Sequence, residues 1–151
     1  MRGWIEMQLT DRIKDCNGCS ACIVGCKELC IKIQPDEKGF LKPVINEDVC
    51  TKCNNCLLYC PLFMPVDLPD PEKFYEYKDE YYERDMPKIY RKTLRDSKTE
   101  KPTEFAGTLC QIAGLKSLMG DRLRENLILY SLYCDPDKPK RPECVNCQFI
   151  K

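Results

Sequence analysis

The sequence predicts an α+β chain in three parts. These are a cysteine-organised N-terminal unit with a pseudo-twofold repeat (1–67), a charged helical linker (68–103) and a small cysteine-containing α/β segment (104–151). Three observations predict this. Cysteine supplies 13 of the 151 residues, close to the usage that marks a special scaffold. Eight of the 13 fall into two runs of identical internal spacing, the second 34 residues after the first. From 68 to 103, 18 of 36 residues are charged and glycine is absent, as in a solvated helix rather than a core.

Composition narrows the chemistry further. There is no histidine, which removes imidazole metal ligands, Ser-His or Cys-His catalysis and an imidazole pH switch. Formal charge is zero, with 24 Lys+Arg against 24 Asp+Glu and no basic block, so no nucleic acid is expected as a partner. The opening residues, Met1 to Gln8, carry charge before any apolar run builds, so no signal peptide is read there. The most apolar stretch, Leu57 to Val66, is broken by Cys60, Pro61 and Pro65 and is far too short for a membrane span. The expectation is a cytoplasmic protein without membrane insertion, where cysteine clusters mean metal or catalysis rather than disulfides.

The N-terminal unit rests on Cys16, Cys19, Cys22 and Cys26, and on Cys50, Cys53, Cys56 and Cys60. Both runs read Cys-x2-Cys-x2-Cys-x3-Cys, Ile23 and Val24 recur as Leu57 and Leu58, and the second run closes with Pro61. This is the spacing of bacterial two-cluster iron–sulfur proteins. Three thiolates at two-residue intervals wrap one cubane, while the fourth begins a short helix pointing away and serves the other cluster. One [4Fe-4S] cluster then takes Cys16, Cys19, Cys22 and Cys60; the other takes Cys50, Cys53, Cys56 and Cys26. Crossed ligands make cluster binding and folding one event. Zinc is the alternative, but its usual pattern is two separated Cys-x2-Cys knuckles, not four cysteines in 11 residues. Cys30 is left over, and reads as a small buried residue.

Residues 12–62 resemble a bacterial-type 2[4Fe-4S] ferredoxin domain. Cys26 to Ile33, followed by Asp36-Glu37-Lys38-Gly39-Phe40-Leu41-Lys42-Pro43, is similar to the N-terminal segment of the coenzyme F-420 hydrogenase/dehydrogenase β-subunit family. Lys27 replaces the proline usual after the fourth cysteine, and Ser20 and Asn54 stand where glycine is usual. Asn visits the left-handed region more readily than Ser, so the first loop is expected to be slightly altered.

In the linker, Asp70-Pro71-Glu72 reads as a helix start, with an acidic N-cap and proline in the first turn. Phe74, Tyr77 and Tyr81 then share a face, Glu80 and Arg84 form an i,i+4 pair, and Pro87 ends or kinks the helix. Tyr75, Tyr77, Tyr81, Tyr82 and Tyr90 cluster here. Helical spacing favours a packing stripe over a stacking surface for a base or flavin.

In the last segment, Thr108 caps a short amphipathic helix closed by Gly120, and Leu127 to Tyr133 reads as a buried strand ending at Cys134. Cys144 and Cys147 form a Cys-x2-Cys knuckle. Gly107 to Leu118 resembles the Gly-Thr-Pro-Cys-Gln-Ile-Ala-Gly-Leu motif of the same F-420 family, with Leu109 in place of proline. The resemblance implies that Cys110, Cys134, Cys144 and Cys147 hold a third [4Fe-4S] cluster; structural zinc and unligated thiols remain the alternatives. The family's long flavin-binding middle has no counterpart here, which suggests a shortened relative or a fragment, with no flavin held by this chain alone.

The function expected is single-electron transfer through two or three [4Fe-4S] clusters. The partner expected is a flavoprotein or a hydrogenase/dehydrogenase subunit. Each oxidised cluster with four thiolates contributes a charge of about −2, so the partner's docking surface should be basic. A flavin-dependent oxidoreductase of the F-420 type and a zinc-organised interaction module are the alternatives.

Overall fold

The computed structural model describes residues 15–39, 41–68, 84–120 and 123–132, the backbone of 74–77, and Cys134, Asp137, Cys144 and Phe149. The expected helix start at residues 70–72, Tyr81 and Cys147 lie outside the described residues.

The N-terminal unit alternates one-turn helices with a hairpin. Helix α1 (Ala21–Gly25) leads to strand β1 (Ile31–Pro35), β2 (Leu41–Ile45) and helix α2 (Asn55–Leu58). The two strands pair antiparallel, with Ile31 opposite Ile45 and Ile33 opposite Pro43. Their turn is an Asx turn: Asp36 Oδ1 accepts from the Lys38 N–H at 2.9 Å, and Gly39 takes a left-handed φ of 85°. Cys22, Ile23, Cys26, Cys30, Ile31 and Leu57 form a small core between hairpin and helices.

The rest of the chain builds a parallel sheet. Strands β3 (Phe74–Tyr77), β4 (Thr103–Gly107) and β5 (Leu127–Leu132) lie in the order β3-β5-β4, with helices α3 (Met86–Asp96) and α4 (Leu109–Met119) in the connections. Phe74 and Phe105 both stand in register with Leu129 of the central strand. No helix among the described residues is long and apolar enough to cross a membrane.

Three local expectations are corrected. Residues 74–77 form a strand, not the middle of a helix: Phe-Tyr-Glu-Tyr has the aromatic content of a strand, and β5 offers it a parallel ladder. Pro87 does not end a helix but opens one. Asp85 caps α3, its carboxylate accepting from the Lys88 N–H at 3.2 Å, and proline in the first turn has no amide to waste. Helix α4 is capped at Thr108 and Gly120 as read, yet it is not amphipathic. Gln111 to Leu115 and Ser117 are all buried, because β4, β5, α3 and α1 surround it.

One tyrosine ties the two parts together. Met86, Tyr90 and Thr93 form the buried face of α3. The Tyr90 hydroxyl reaches the carbonyl oxygen of Cys19 at 2.7 Å and that of Gln111 at 3.0 Å, and its ring stacks on Phe105 with centroids 5.9 Å apart. Cys19, Ala21, Met86, Tyr90, Phe105, Ile112, Leu115 and Leu129 make one core. The first cysteine loop is therefore part of the sheet's hydrophobic core rather than an appendage to it.

Gly114 permits this closeness. A Cβ there would meet the Tyr90 hydroxyl oxygen at 2.7 Å and the Ala21 Cβ at 3.2 Å. In a helix interior Gly costs about 1 kcal/mol relative to Ala, so its presence reflects packing. Gly114→Ala should lower stability by about 1 kcal/mol net, overpacking of ~2 kcal/mol outweighing the gain in propensity. In a Tyr90→Phe background, which removes the crowded oxygen, the same change should cost measurably less. Anaerobic denaturant titration of the four proteins in that cycle checks the coupling; additive effects would mean the hydroxyl is not what Gly114 accommodates.

Candidate metal centre

The two cysteine runs fold alike at the level of single backbone angles. Gly18 (φ 75°) and Ser20 (φ 66°) are left-handed, and so are the residues 34 positions on, Lys52 (56°) and Asn54 (59°). The Gly18 N–H donates to Cys16 Sγ at 3.3 Å, and the Lys52 N–H donates to Cys50 Sγ at 3.4 Å. Ile23 and Leu57 donate to the carbonyls of Ser20 and Asn54, and Cys26 and Cys60 to those of Ile23 and Leu57. Ser20 thus takes the conformation a glycine would, so the first loop has the same turn as the second. Left-handed Ser and Lys cost about 1–2 kcal/mol each, a strain accepted where it curls three cysteines around one space.

The side chains show which cysteines share a space. A cavity of about 570 Å³, including the part open to solvent, is lined by Cys26 from the first run and by Cys50, Cys53 and Cys56 from the second. Cys30, Glu28, Glu47 and Lys52 are among the other residues of its wall. In the other group, burial pushes the Cys22 thiol well up, and neighbouring thiolates at Cys16, Cys60 and Cys56 push it further. Cys19 is likewise raised by burial, then by Cys110 and Cys16. Cys56 is raised to about 11 by burial and by Cys26.

Cys26 runs the other way. Burial opposes its ionisation, but hydrogen bonds from the Cys30 backbone and thiol, and from the amides of Glu28 and Leu29, outweigh that and lower it. Cys30, 3.4 Å away sulfur to sulfur, is pushed up to about 12 by burial and then by its hydrogen bonds with Cys26 and Cys50. The expectation of a small buried residue holds for Cys30, but it is also a wall of the cavity. Its place four residues after the last cysteine of the run was the available signal.

The two groups differ in cover. Cys19, Cys22 and Cys26 are buried, Cys16, Cys50, Cys56 and Cys60 are partly so, and Cys53 is exposed. Among the described residues, no three cysteine or acidic side chains converge closely enough to hold a single metal ion. Four thiols around a cavity suit a larger group, because a cubane gives each thiolate its own iron and holds the four apart. Buried thiolates that raise one another's proton affinity also suit a cationic core, which reverses that effect. The residues present fit a [4Fe-4S] cluster.

Of the four C-terminal cysteines, Cys110 lies at the start of α4 with its sulfur 3.2 Å from Thr108 Oγ1, packed against the core that contains Cys19. Cys134 sits just beyond β5, 3.9 Å from the Leu132 carbonyl oxygen, and Cys144 is partly buried. Gln111 was not anticipated as a site residue. Its side chain accepts from the Thr108 N–H at 3.0 Å and from Arg84 at 2.9 Å, which fixes the start of α4 beside the first loop.

Raised thiol affinities set a pH dependence. Groups such as Cys22 and Cys56 hold their protons at neutral pH in the metal-free fold, so any iron they bind must displace those protons. Iron bound by apo-protein at fixed iron and sulfide should rise steadily between about pH 6 and 8.5. Anaerobic reconstitution with iron quantification checks this, and a flat profile would mean the thiols are not the ligands.

A 4Fe-4S dicluster domain family matches residues 15–63. No curated protein and no solved structure matches the chain. Residues 15–63 form a ferredoxin-like iron–sulfur domain.

Proposed function

We propose that the chain carries single electrons through two [4Fe-4S] clusters held by crossed ligands. One is held by Cys16, Cys19, Cys22 and Cys60, the other by Cys50, Cys53, Cys56 and Cys26. The observation that carries this is the cavity wall, where Cys26 of the first run joins three cysteines of the second. When bound, such clusters supply one-electron chemistry that needs no proton. The chain's own part is to position thiolates, aim backbone N–H groups at their sulfurs and set how much water each site meets.

Cover gives the pair a direction. Cys19 is packed under Tyr90 and α4, whereas Cys53 and its neighbours Thr51 and Lys52 are exposed. The Cys53 side is where a partner comes nearest to a ligand sulfur, and electrons enter and leave there. Glu28 and Glu47 on the same wall add to the negative charge of a loaded site, which favours a basic docking surface on the partner. The resemblance of Gly107 to Leu118 to the F-420 family motif points to a flavoprotein or hydrogenase/dehydrogenase subunit as that partner. Under the same resemblance, Cys110, Cys134, Cys144 and Cys147 hold a further metal site.

Iron and sulfide quantification after anaerobic purification tests the reading. About eight irons per chain is the expected result, about twelve adds a C-terminal cluster, and zinc in place of iron would replace redox function with a structural role. Cys56→Ala should lose about half of the eight irons and destabilise both halves of the unit, because Cys26 loses its anchor too. Full iron occupancy in that variant would refute the crossed ligands.

A further inference from the structure

The two halves of the cysteine unit correspond at a constant offset, so any position where they differ is a built-in comparison. Position 30 is such a place. Its counterpart 34 residues on is Met64, whose thioether has no proton to give. Both halves turn after the last cysteine, Leu29 donating to the Cys26 carbonyl at 3.4 Å and Phe63 to the Cys60 carbonyl at 3.0 Å. The first half then takes a left-handed Leu29 (φ 54°), while Met64 continues the turn with its own bond to the Cys60 carbonyl at 2.7 Å. Only one half, then, places a hydrogen-bond donor on the side chain four residues after its last cysteine.

We propose that Cys30 is a non-ligand thiol that donates its S–H to the ligand sulfur of Cys26, and so makes the cluster beside it the easier of the two to reduce. This rests on the two-cluster reading above. Cys30 Sγ lies 3.4 Å from Cys26 Sγ in a buried pocket, and Cys30 faces the same cavity as Cys26, Cys50, Cys53 and Cys56. Either sulfur can donate in a metal-free chain, but a metal-bound Cys26 has no proton, which leaves Cys30 as the donor. Burial in apolar surroundings keeps a thiol protonated.

The effect has a definite sign. Reduction adds one electron, delivered by the redox partner, and no proton moves: Cys30 keeps its own. The added negative charge spreads onto the ligand sulfurs, and a donor at one of them stabilises the reduced state more than the oxidised one. The other group has Met64 at the matching sequence position, and a thioether has no proton to donate. Cys30 acts through Cys26 and never on iron, so it is a positioning residue.

The test is an electron-spin-resonance-monitored redox titration of the purified holoprotein and of Cys30→Ala and Cys30→Ser. Iron content is measured on each. Cys53→Ser, which alters a ligand of the second cluster, identifies that cluster's signal. Cys30→Ala should keep the wild-type iron content. Its second-cluster equilibrium constant for one-electron reduction should fall about tenfold, equivalent to about 59 mV. The first cluster should not move. Cys30→Ser, which keeps a donor, should lie nearer the wild type than Cys30→Ala does. Unmoved midpoints, an equal shift of both clusters, or serine behaving as alanine would overturn the proposal. Loss of about four irons in Cys30→Ala would overturn it too, by making Cys30 a ligand. A wild-type chain without about eight irons would overturn the two-cluster reading itself, an outcome separable from all of these.

Discussion

Sulfurs that are close to one another and closed off from water constrain everything else in this chain. An ionised thiolate in a dry pocket is costly, and several together are costlier, because each adds its field to the others. Cys22 experiences burial and three neighbouring thiolates at once. Either the sulfurs keep their protons or a cationic core replaces those protons, and folding is tied to whichever occurs. Backbone amides supply the remaining compensation. The left-handed turns at Gly18 and Lys52 exist to point an N–H at Cys16 and Cys50.

The C-terminal half answers the same constraint on one side only. Its parallel sheet carries α3 and α4, and these close over Cys19 and Ala21. A buried loop needs partners for its carbonyls, and the single Tyr90 hydroxyl proton is shared between those of Cys19 and Gln111. Arg84 bridges the Ala106 carbonyl and the Gln111 side chain, so the start of α4 is held from two directions. Asn126 reaches the carbonyls of Thr99 and Lys101 at 2.7 and 2.8 Å, fixing the entry to β4. What reads in the sequence as separate segments shares one core.

The cysteine unit was legible because its information is local: spacing of two, two and three residues dictates loop shape without help from distant chain. Thr108, Gly120 and the strand after them were legible for the same reason, since caps and short apolar runs act over a few residues. Strand β3 was not. Phe74 and Tyr77 are three apart, as on a helix face, and only the parallel ladder with a strand some fifty residues later makes them extended. Pro87 is ambiguous in sequence because proline both ends helices and begins them, and the N-cap Asp85 two residues earlier decides for a start. Ser20 misled in a milder way. Its intrinsic reluctance to turn left-handed is outweighed by burial and by the ring of cysteines it must close.

A repeat with unequal halves is a means of giving direction to two otherwise similar sites. On the two-cluster reading, identical loops guarantee similar ligation, so differences in behaviour must come from what surrounds the loops. Two surroundings differ here, and they act in the same sense. The sheet covers Cys19 but leaves Cys53 in solvent, and exposure to a polar medium stabilises the more highly charged reduced form. A thiol stands beside Cys26, where the other half has methionine at the matching sequence position, and on the proposal above it favours the same form. On that reading, an electron entering the pair comes to rest at the exposed end, next to the surface proposed for a partner. Burying that end as deeply as the first would leave the thiol beside Cys26 as the remaining difference between the sites.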